Sequence, residues 1–500
     1  MPPAKITVNL NEPIAIINPN LYSHFIEHLG TCVDEGIWVG EDSPIPHLGG
    51  IRRDVVEALR KLNPPVLRWP GGCFADDYHW QDGIGPRASR PRRVNIWWGD
   101  TIENNHFGTH EFMQLCRLLG AQPYLCGNVG SGSPREMRDW VEYCNFDGDT
   151  TLAAQRAANG SPAPFGVQYW GVGNEAWGCG GNFCPEDYAV EYKKFATYLR
   201  NFSGTQLRLI ACGPDGNNAD WTRRFFTKLG GFRQMHSYSA HLYTWNREGQ
   251  MGSATEYSID QWYQLIHESL RMEPLIEQQR AIMDEFDPER KIDLIVDEWG
   301  AWHPQATGHN PYAHLWQQQT LRDAVLAAMN LDIFNRHADK VAMTNIAQMM
   351  NVLQAMILTN GDRIVTTPTY HIFDMYQAHA GGQSLRVAFD AQPIDFQGRD
   401  GATVQLFGLS GSASLKEAVL TLSVVNPHAT QAVEASIELS GVTCSGASVT
   451  VLTDSNIHAH NTFDAPDALQ PQTTSLDLSG SDWRHTFPAA SVTVFRARVS

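Results

Sequence analysis

The 500 residues carry 42% hydrophobic side chains, enough for a large core, and a formal net charge of −17. No Lys/Arg-rich run or basic stripe occurs, which argues against a nucleic-acid partner, and no apolar run of about 18 residues occurs that would suit a membrane span. The opening Met1-Pro-Pro-Ala-Lys-Ile-Thr-Val8 has no secretory-type apolar segment, and nine scattered cysteines are not a disulfide framework, so reduced thiols in a cytoplasmic protein are expected.

From about residue 20 to 375, β-branched apolar runs alternate with helix-period segments. Strands are predicted over 22–28, 65–69, 123–128, 167–174, 207–212, 236–243, 292–298 and 341–348. Helices are predicted over 53–62, 110–119, 187–202, 221–229, 259–286 and 316–336, with Ser133-Pro-Arg-Glu136 reading as a capping box that opens another. Strand and helix in alternation, eight times over, predict a (β/α)8 barrel spanning 18–375. An open doubly wound sheet is the competitor, but no Gly-x-Gly-x-x-Gly follows the first strand.

Past residue 380 the helical period vanishes. Short alternating runs at 404–409, 418–425, 435–439, 448–452, 474–478 and 492–499, punctuated by Gly, Ser, Asn and Pro, predict an antiparallel β-sandwich. The opening runs 6–10 and 15–17 are also strand-like and are expected to pair into it, giving a second domain of 1–17 plus 376–500.

In such a barrel the reacting groups stand at the C-terminal strand ends. There the sequence places Glu27 and His28, Arg68-Trp-Pro-Gly-Gly-Cys-Phe74, Asn128, Asn174-Glu175, His241 and Tyr243, Glu298 and Gln348. Two glutamates remote in sequence, Glu175 and Glu298, each sit beside tryptophan. A pair of carboxylates flanking an acetal oxygen can hydrolyse a glycoside, one attacking the anomeric carbon and one protonating the leaving oxygen. The acid must stay protonated near neutrality, and the second carboxylate together with apolar walls, here Trp170, Trp177 and Trp299, would push its titration upward. His241 and Tyr243 alternate on one strand and so share a face. His24 and His28 might be taken for metal ligands, but they lie on a strand and its exit, where the helical i,i+4 logic fails. Cys179 and Cys184 have no second pair nearby to complete a metal clip.

These residues reach a known family. The segments His24-Phe-Ile-Glu-His-Leu-Gly30, Leu67-Arg-Trp-Pro-Gly-Gly-Cys-Phe-Ala-Asp76, Tyr78-His-Trp-Gln-Asp-Gly-Ile-Gly-Pro86, Gly171-Val-Gly-Asn-Glu175, His241-Leu-Tyr243, Val296-Asp-Glu-Trp299 and Asn345-Ile-Ala-Gln-Met-Met-Asn-Val-Leu-Gln354 resemble the α-L-arabinofuranosidases of glycoside hydrolase family 51. The resemblance covers essentially the whole chain. It implies a retaining exo-enzyme with Glu175 as acid/base and Glu298 as nucleophile. It implies that Glu27, Asn174 and Gln354 bind furanose hydroxyls, that Arg68, His241 and Tyr243 surround the nucleophile, and that Trp98 and Trp302 wall the pocket. Trp97 competes with Trp98, and Gln348 with Gln354. Cys73 stands where many members carry asparagine, so its contact with the sugar is expected to be weak, since a thiol is a poor hydrogen-bond partner. As a hypothesis, Cys73 and Cys179 form a disulfide that rigidifies the loop after Glu175.

The resemblance also implies arabinose-containing oligosaccharides as substrates and, by analogy, a trimeric or hexameric assembly. No metal or organic cofactor is expected, because proton transfer and carboxylate attack suffice. The alternatives are the same machinery acting on β-xylosides or β-glucans, and a non-catalytic carbohydrate-binding protein. The intact Glu175/Glu298 pair speaks against the second.

Overall fold

A computed structural model describes residues 4–304 and 314–500. The first strand, β1 (Ala4–Ile16), lies outside the barrel. Eight strands then close the barrel: β2 (Ser23–Phe25), β3 (Val66–Trp69), β4 (Gln122–Gly127), β5 (Tyr169–Val172), β6 (Arg208–Ala211), β7 (Ser237–Trp245), β8 (Asp293–Trp302) and β9 (Val341–Ala347). Every neighbouring pair is parallel, and β9 returns to β2. All eight predicted strands are therefore present, several shortened at their ends.

Helices form the outer layer: α1 (Arg53–Leu62), α2 (Thr109–Leu119), α3 (Pro134–Asn145), α4 (Thr151–Ala158), α5 (Pro185–Tyr198), α6 (Ala219–Leu229), α7 (Ile259–Ser269), α8 (Met272–Phe286), α9 (Leu321–Arg336) and α10 (Pro368–Tyr376). The single predicted helix over 259–286 is two, because the chain breaks at Leu270–Arg271 between α7 and α8. Only half of the predicted capping box forms. Ser133 Oγ accepts from Glu136 N at 3.2 Å, while the Glu136 carboxylate pairs with His79 instead.

The C-terminal strands are β10 (Gln383–Asp390), β11 (Ser410–Lys416), β12 (Val419–Asn426), β13 (Val433–Ser440), β14 (Cys444–Leu452), β15 (Gln472–Gly480), β16 (Asp482–Phe487) and β17 (Ser491–Val499). With β1 they form nine strands in the order β15-β14-β17-β12-β11-β10-β1-β13-β16, packed as a sandwich over one apolar cluster. The opening strand thus does join the C-terminal sheet. It does so in a way that makes the sandwich mixed rather than purely antiparallel: β1 runs antiparallel to β10 but parallel to β13.

Helix α9 joins the two layers. It reads as amphipathic, yet Leu321 through Asn335 are all buried, because the sandwich covers the face that would otherwise meet water. Asp332 on that face accepts from Ser412 Oγ at 2.7 Å, Ser423 Oγ at 2.5 Å and Tyr376 OH at 3.0 Å. A buried carboxylate with three hydroxyl donors holds a defined register between helix and sheet.

Because β1 lies in the interior of the nine-strand order, its apolar face belongs to the sandwich core. Ile6 is fully buried there. Ile6→Ala is expected to destabilise the sandwich by about 2–4 kcal/mol, seen as a lower midpoint of thermal unfolding. An unchanged midpoint would show that β1 is a peripheral addition.

Candidate active site

The barrel mouth gathers groups from six strands, β2, β3, β5, β7, β8 and β9. At its centre is Arg68, the penultimate residue of β3 and almost wholly buried. Its Nη1 donates to Glu298 Oε1 at 2.7 Å and its Nη2 to Asn174 Oδ1 at 2.5 Å, while Nε lies 3.4 Å from Asp297 Oδ2. The guanidinium also lies over the Phe25 ring, 4.5 Å from its centroid.

Asp297 and Glu298 are adjacent on β8, so a regular strand would send them to opposite faces. The ladder with β7 shows why it does not: Ala240 pairs with Val296 and His241 with Glu298, leaving Asp297 as the extra residue of a bulge. Asp297 turns into the barrel, where Tyr124 OH and Asn345 Nδ2 donate to it at 2.7 Å each. Glu298, one step on, reaches the mouth. Tyr243 OH donates to its second oxygen, Oε2, at 2.7 Å.

Glu175 follows β5 with φ +37°, a left-handed backbone uncommon for a side chain of this size. Its Oε1 lies 2.9 Å from His241 Nδ1, which is also 3.5 Å from Glu298 Oε1. One oxygen from each carboxylate and one His241 nitrogen fall within 4.8 Å of one another. Burial raises the Glu175 titration above the usual carboxylate range, and the neighbouring Glu298 charge adds to this against the opposing His241 bond. Burial acts the same way on Glu298, but His241, Arg68 and the Tyr243 hydroxyl together outweigh it and hold Glu298 below that range. His241 is itself raised: burial disfavours its cation, but Glu298 and Glu175 prevail.

Glu27, after β2, accepts from Phe74 N at 3.1 Å and Trp98 Nε1 at 3.0 Å on one oxygen, and from Gln348 Nε2 at 3.0 Å on the other. Burial, then the Glu298 charge, raise its titration to about 7. The Pro-Gly-Gly segment has a steric reason. A Cβ on Gly71 would lie 2.7 Å from Glu27 Cγ, and one on Gly72 would lie 3.0 Å from Glu298 Oε1. Only glycine lets this backbone pass so close to both carboxylates.

Cys73 and Cys179 form a disulfide. Cys73 therefore offers no thiol, and the weak sugar contact expected of it is replaced by a different one: the two sulfurs lie 4.0 and 3.7 Å from Glu175 Oε2. Trp98 rather than Trp97 reaches the site, since Trp97 is 39% exposed and Trp98 bonds Glu27. Both N–H groups of Gln354 are committed, to Asp323 O and Thr369 Oγ1, and its oxygen accepts from Ala301 N at 2.7 Å. Gln348 bonds Glu27 and keeps an oxygen with no partner among the described residues. Trp302 packs edge-on against Tyr243 and stacks on Trp245, with ring centroids 5.1 Å apart in each case.

Of the expected apolar walls, Trp170 and Trp299 need correction. Trp170 packs on Trp140, and Trp299 on Phe334 and Phe373, all in the layer behind the strands. Trp299 follows the bulge and so points outward. His24 is buried against Phe373 with neither ring nitrogen hydrogen-bonded, and His28 accepts from Trp69 Nε1 and pairs with Glu103. Both are structural. So is Asn128, which caps Ser131 N and Gly132 N. Two clusters have metal-ligand spacing among the described residues, Cys73–Glu175–Cys179 and Glu175–His241–Glu298. The first has its sulfurs in the disulfide, and the second already faces the Arg68 guanidinium, beside which a cation would meet like charge. Sequence reasoning missed Asp297 and Asp76. Asp297 was visible as the residue before Glu298, but nothing in the sequence signals the bulge that turns it inward.

Residues 58–263 match the family described as α-L-arabinofuranosidase 1 domain, and residues 297–491 that described as α-L-arabinofuranosidase C-terminal domain. An intracellular exo-α-L-arabinofuranosidase of Bacteroides ovatus is 43% identical over 94% of this chain and 90% of its own length. The crystal structure of the GH51 arabinofuranosidase from Xanthomonas axonopodis pv. citri superposes with a TM-score of 0.94 at 39% identity, covering 99% of this chain and 100% of that one. The α-L-arabinofuranosidase of Thermotoga maritima, solved as an arabinose complex, gives 0.84 at 30% identity over 99% and 100%. Whole-chain identity of this order, on the same barrel and sandwich, makes the chain a member of glycoside hydrolase family 51 and an α-L-arabinofuranosidase.

Proposed function

We propose that the enzyme is a retaining exo-hydrolase that releases terminal α-L-arabinofuranosyl residues from arabinoxylan- or arabinan-derived oligosaccharides. The observation that carries this is the close carboxylate pair with oppositely displaced titrations. Retaining glycosidases hold their carboxyl groups about 5–5.5 Å apart, whereas inverting ones leave room for a water. A buried pair this close does not bear two charges at once. Arg68 and Tyr243 place the charge on Glu298, and burial keeps the proton on Glu175.

Glu298 attacks the anomeric carbon and forms a glycosyl-enzyme ester while Glu175 gives its proton to the departing oxygen. Glu175, now a carboxylate, takes a proton from water, which opens the ester with a second inversion and so with net retention. His241 stands between the two, its Nδ1 2.9 Å from Glu175 Oε1 and 3.5 Å from Glu298 Oε1. Asn174 and Glu27 face furanose hydroxyls. Gln348, with its unpartnered oxygen beside Glu27, serves there better than Gln354, which acts through Ala301. Trp98 and Trp302 border the ring. The expectation that all thiols are reduced fails at the Cys73–Cys179 disulfide, and the intracellular designation of the Bacteroides relative is what supports a cytoplasmic setting; homo-oligomeric assembly remains part of this reading.

The sugar bearing the arabinose has its own surface. Trp245 pairs with Trp302 four positions beyond the His241–Glu298 pair on the same two strands. That is about 13 Å along the strands, outward of the carboxylate pair. Trp245 is 48% exposed, and the Arg247 guanidinium lies 4.5 Å from its ring centroid. The stacked indoles suit the C–H face of a sugar, and the guanidinium suits its hydroxyls.

Three measurements test the reading. Glu298→Ala is expected to reduce turnover of every substrate to background, and Glu175→Ala to lower kcat/KM by about 10²–10⁴-fold on arabinobiose but far less on 2,4-dinitrophenyl arabinofuranoside, whose leaving group needs no proton. Equal losses on both substrates would remove Glu175 from acid/base duty. In Tyr243→Phe the hydroxyl no longer stabilises the Glu298 anion, so the Glu298 titration rises. The acid limb of the kcat/KM–pH profile should then move to higher pH, and an unmoved limb would detach that limb from Glu298. Trp245→Ala should raise KM about fivefold to tenfold on arabino-oligosaccharides and leave methyl arabinofuranoside, which has no second ring, as in the parent. Equal changes on both would deny it an aglycone role.

A further inference from the structure

Asp76 is buried and takes no direct part in the chemistry above. It ends the single 3-10 turn Cys73–Asp76 that follows Arg68-Trp-Pro-Gly-Gly. Its Oδ1 accepts from Val129 N at 2.7 Å and Gly130 N at 3.0 Å, and its Oδ2 from Asn174 N at 2.8 Å. Its own carbonyl accepts from Ser131 N at 2.9 Å. One carboxylate thus joins the exits of β3, β4 and β5.

The geometry around it is tight. A Cβ on Gly180 would lie 2.8 Å from Asp76 Oδ2 and 1.8 Å from Asn174 O, so the loop from Asn174 to Gly180 closes directly over this carboxylate. Within that loop Gly178 N and Gly180 N both return to the Glu175 carbonyl, at 2.8 and 3.2 Å. The far side of the loop is held at Cys179 by the disulfide to Cys73, the first residue of the same turn. Glu175 therefore projects from a segment fixed on both sides by one four-residue turn. It needs such fixing, because its backbone is left-handed and a non-glycine residue stays there only where its surroundings impose it.

We propose that Asp76 is the positioning residue of the acid/base: by anchoring Asn174 N it holds the left-handed turn that aims the Glu175 carboxyl at the leaving oxygen. This rests on the assignment of Glu175 made above. Among the described residues, the donors to the Asp76 side chain are all backbone N–H groups, and they occupy both oxygens. An isosteric amide has only one oxygen. Whichever way it turns, its NH2 faces an N–H, either that of Asn174 or those of Val129 and Gly130.

The test compares the intact enzyme with Asp76→Asn and Asp76→Ser on two substrates, with Glu175→Ala alongside. Misplacing the proton donor by about 1 Å costs on the order of 100-fold, so kcat/KM on arabinobiose should fall by about that factor in both variants. On 2,4-dinitrophenyl arabinofuranoside the loss should stay within about threefold, because departure of that group draws little on proton transfer. The alkaline limb of the arabinobiose profile should also move, since it reports Glu175. Equal losses on the two substrates, no loss on arabinobiose, or failure of both variants to fold would overturn the proposal and leave Asp76 a structural residue. A leaving-group-dependent loss in Glu175→Ala without one in Asp76→Asn sinks this inference alone. Absence of that dependence in Glu175→Ala sinks the assignment of Glu175 itself.

Discussion

Two carboxylates share a buried space too small for two charges, and the barrel mouth is arranged around deciding which one keeps its proton. The decision is made on the Glu298 side. Arg68 donates to one oxygen and Tyr243 to the other, so the anion there has a partner on each lone-pair face. Among the described residues, Glu175 has the His241 ring and the two disulfide sulfurs as its side-chain partners. The guanidinium is in turn held by Asp297, which Tyr124 and Asn345 hold in place. A single bulge in β8 makes this chain of contacts possible, because it points consecutive residues into the same space. Without it, either Asp297 or Glu298 would face the helices.

The fold serves this arrangement by fixing where strands end. The barrel strands are largely buried, and the exits of β2, β3, β5, β7, β8 and β9 carry polar side chains gathered at the mouth. The glycines of the β3 exit let backbone run against Glu27 and Glu298 without a side chain between. The sandwich stands on the outer side of α9, where Asp332 binds two serines of the sheet. It contributes no residue to the carboxylate cluster, and its role in this structure is to cover a helix that packs on the barrel.

Much of this was legible in the sequence, for physical reasons that differ by element. The barrel strands were readable because they are continuous apolar runs buried on both faces, and α1 because its apolar period and ends are clear. Strands β10, β11 and β16 were missed: Gln-Ser-Leu-Arg-Val-Ala-Phe-Asp and Asp-Trp-Arg-His-Thr-Phe are half exposed and rich in polar residues, and Ser-Gly-Ser-Ala-Ser-Leu-Lys is dominated by small polar ones. The run predicted at 404–409 falls instead on Thr403–Leu406, which pairs with Ile394–Gln397 in a hairpin outside the nine-stranded sheet. Glu175, Glu298, Arg68, His241, Tyr243, Asn174 and Glu27 were legible through their motifs, and the structure gathers them at one mouth. The placement of Trp170 and Trp299 was not, since whether a tryptophan points in or out depends on register, and the bulge reverses it for Trp299. Neither the choice of Trp98 over Trp97 nor the partners of Gln348 and Gln354 could be settled by spacing, because both turn on loop geometry. Asp76 was invisible for the same reason: its three partners lie on two other loops.

The central claim is that Glu298 carries the charge and forms a covalent bond to the sugar, with Glu175 acting twice. The most direct test is the configuration of arabinose at the moment of release, followed by proton NMR at early time with enough enzyme to outrun mutarotation. The account predicts that the α-anomer appears first and the β-anomer grows in later. First appearance of the β-anomer would mean a single displacement by water, which two carboxylates this close and this unequally charged are not built to perform.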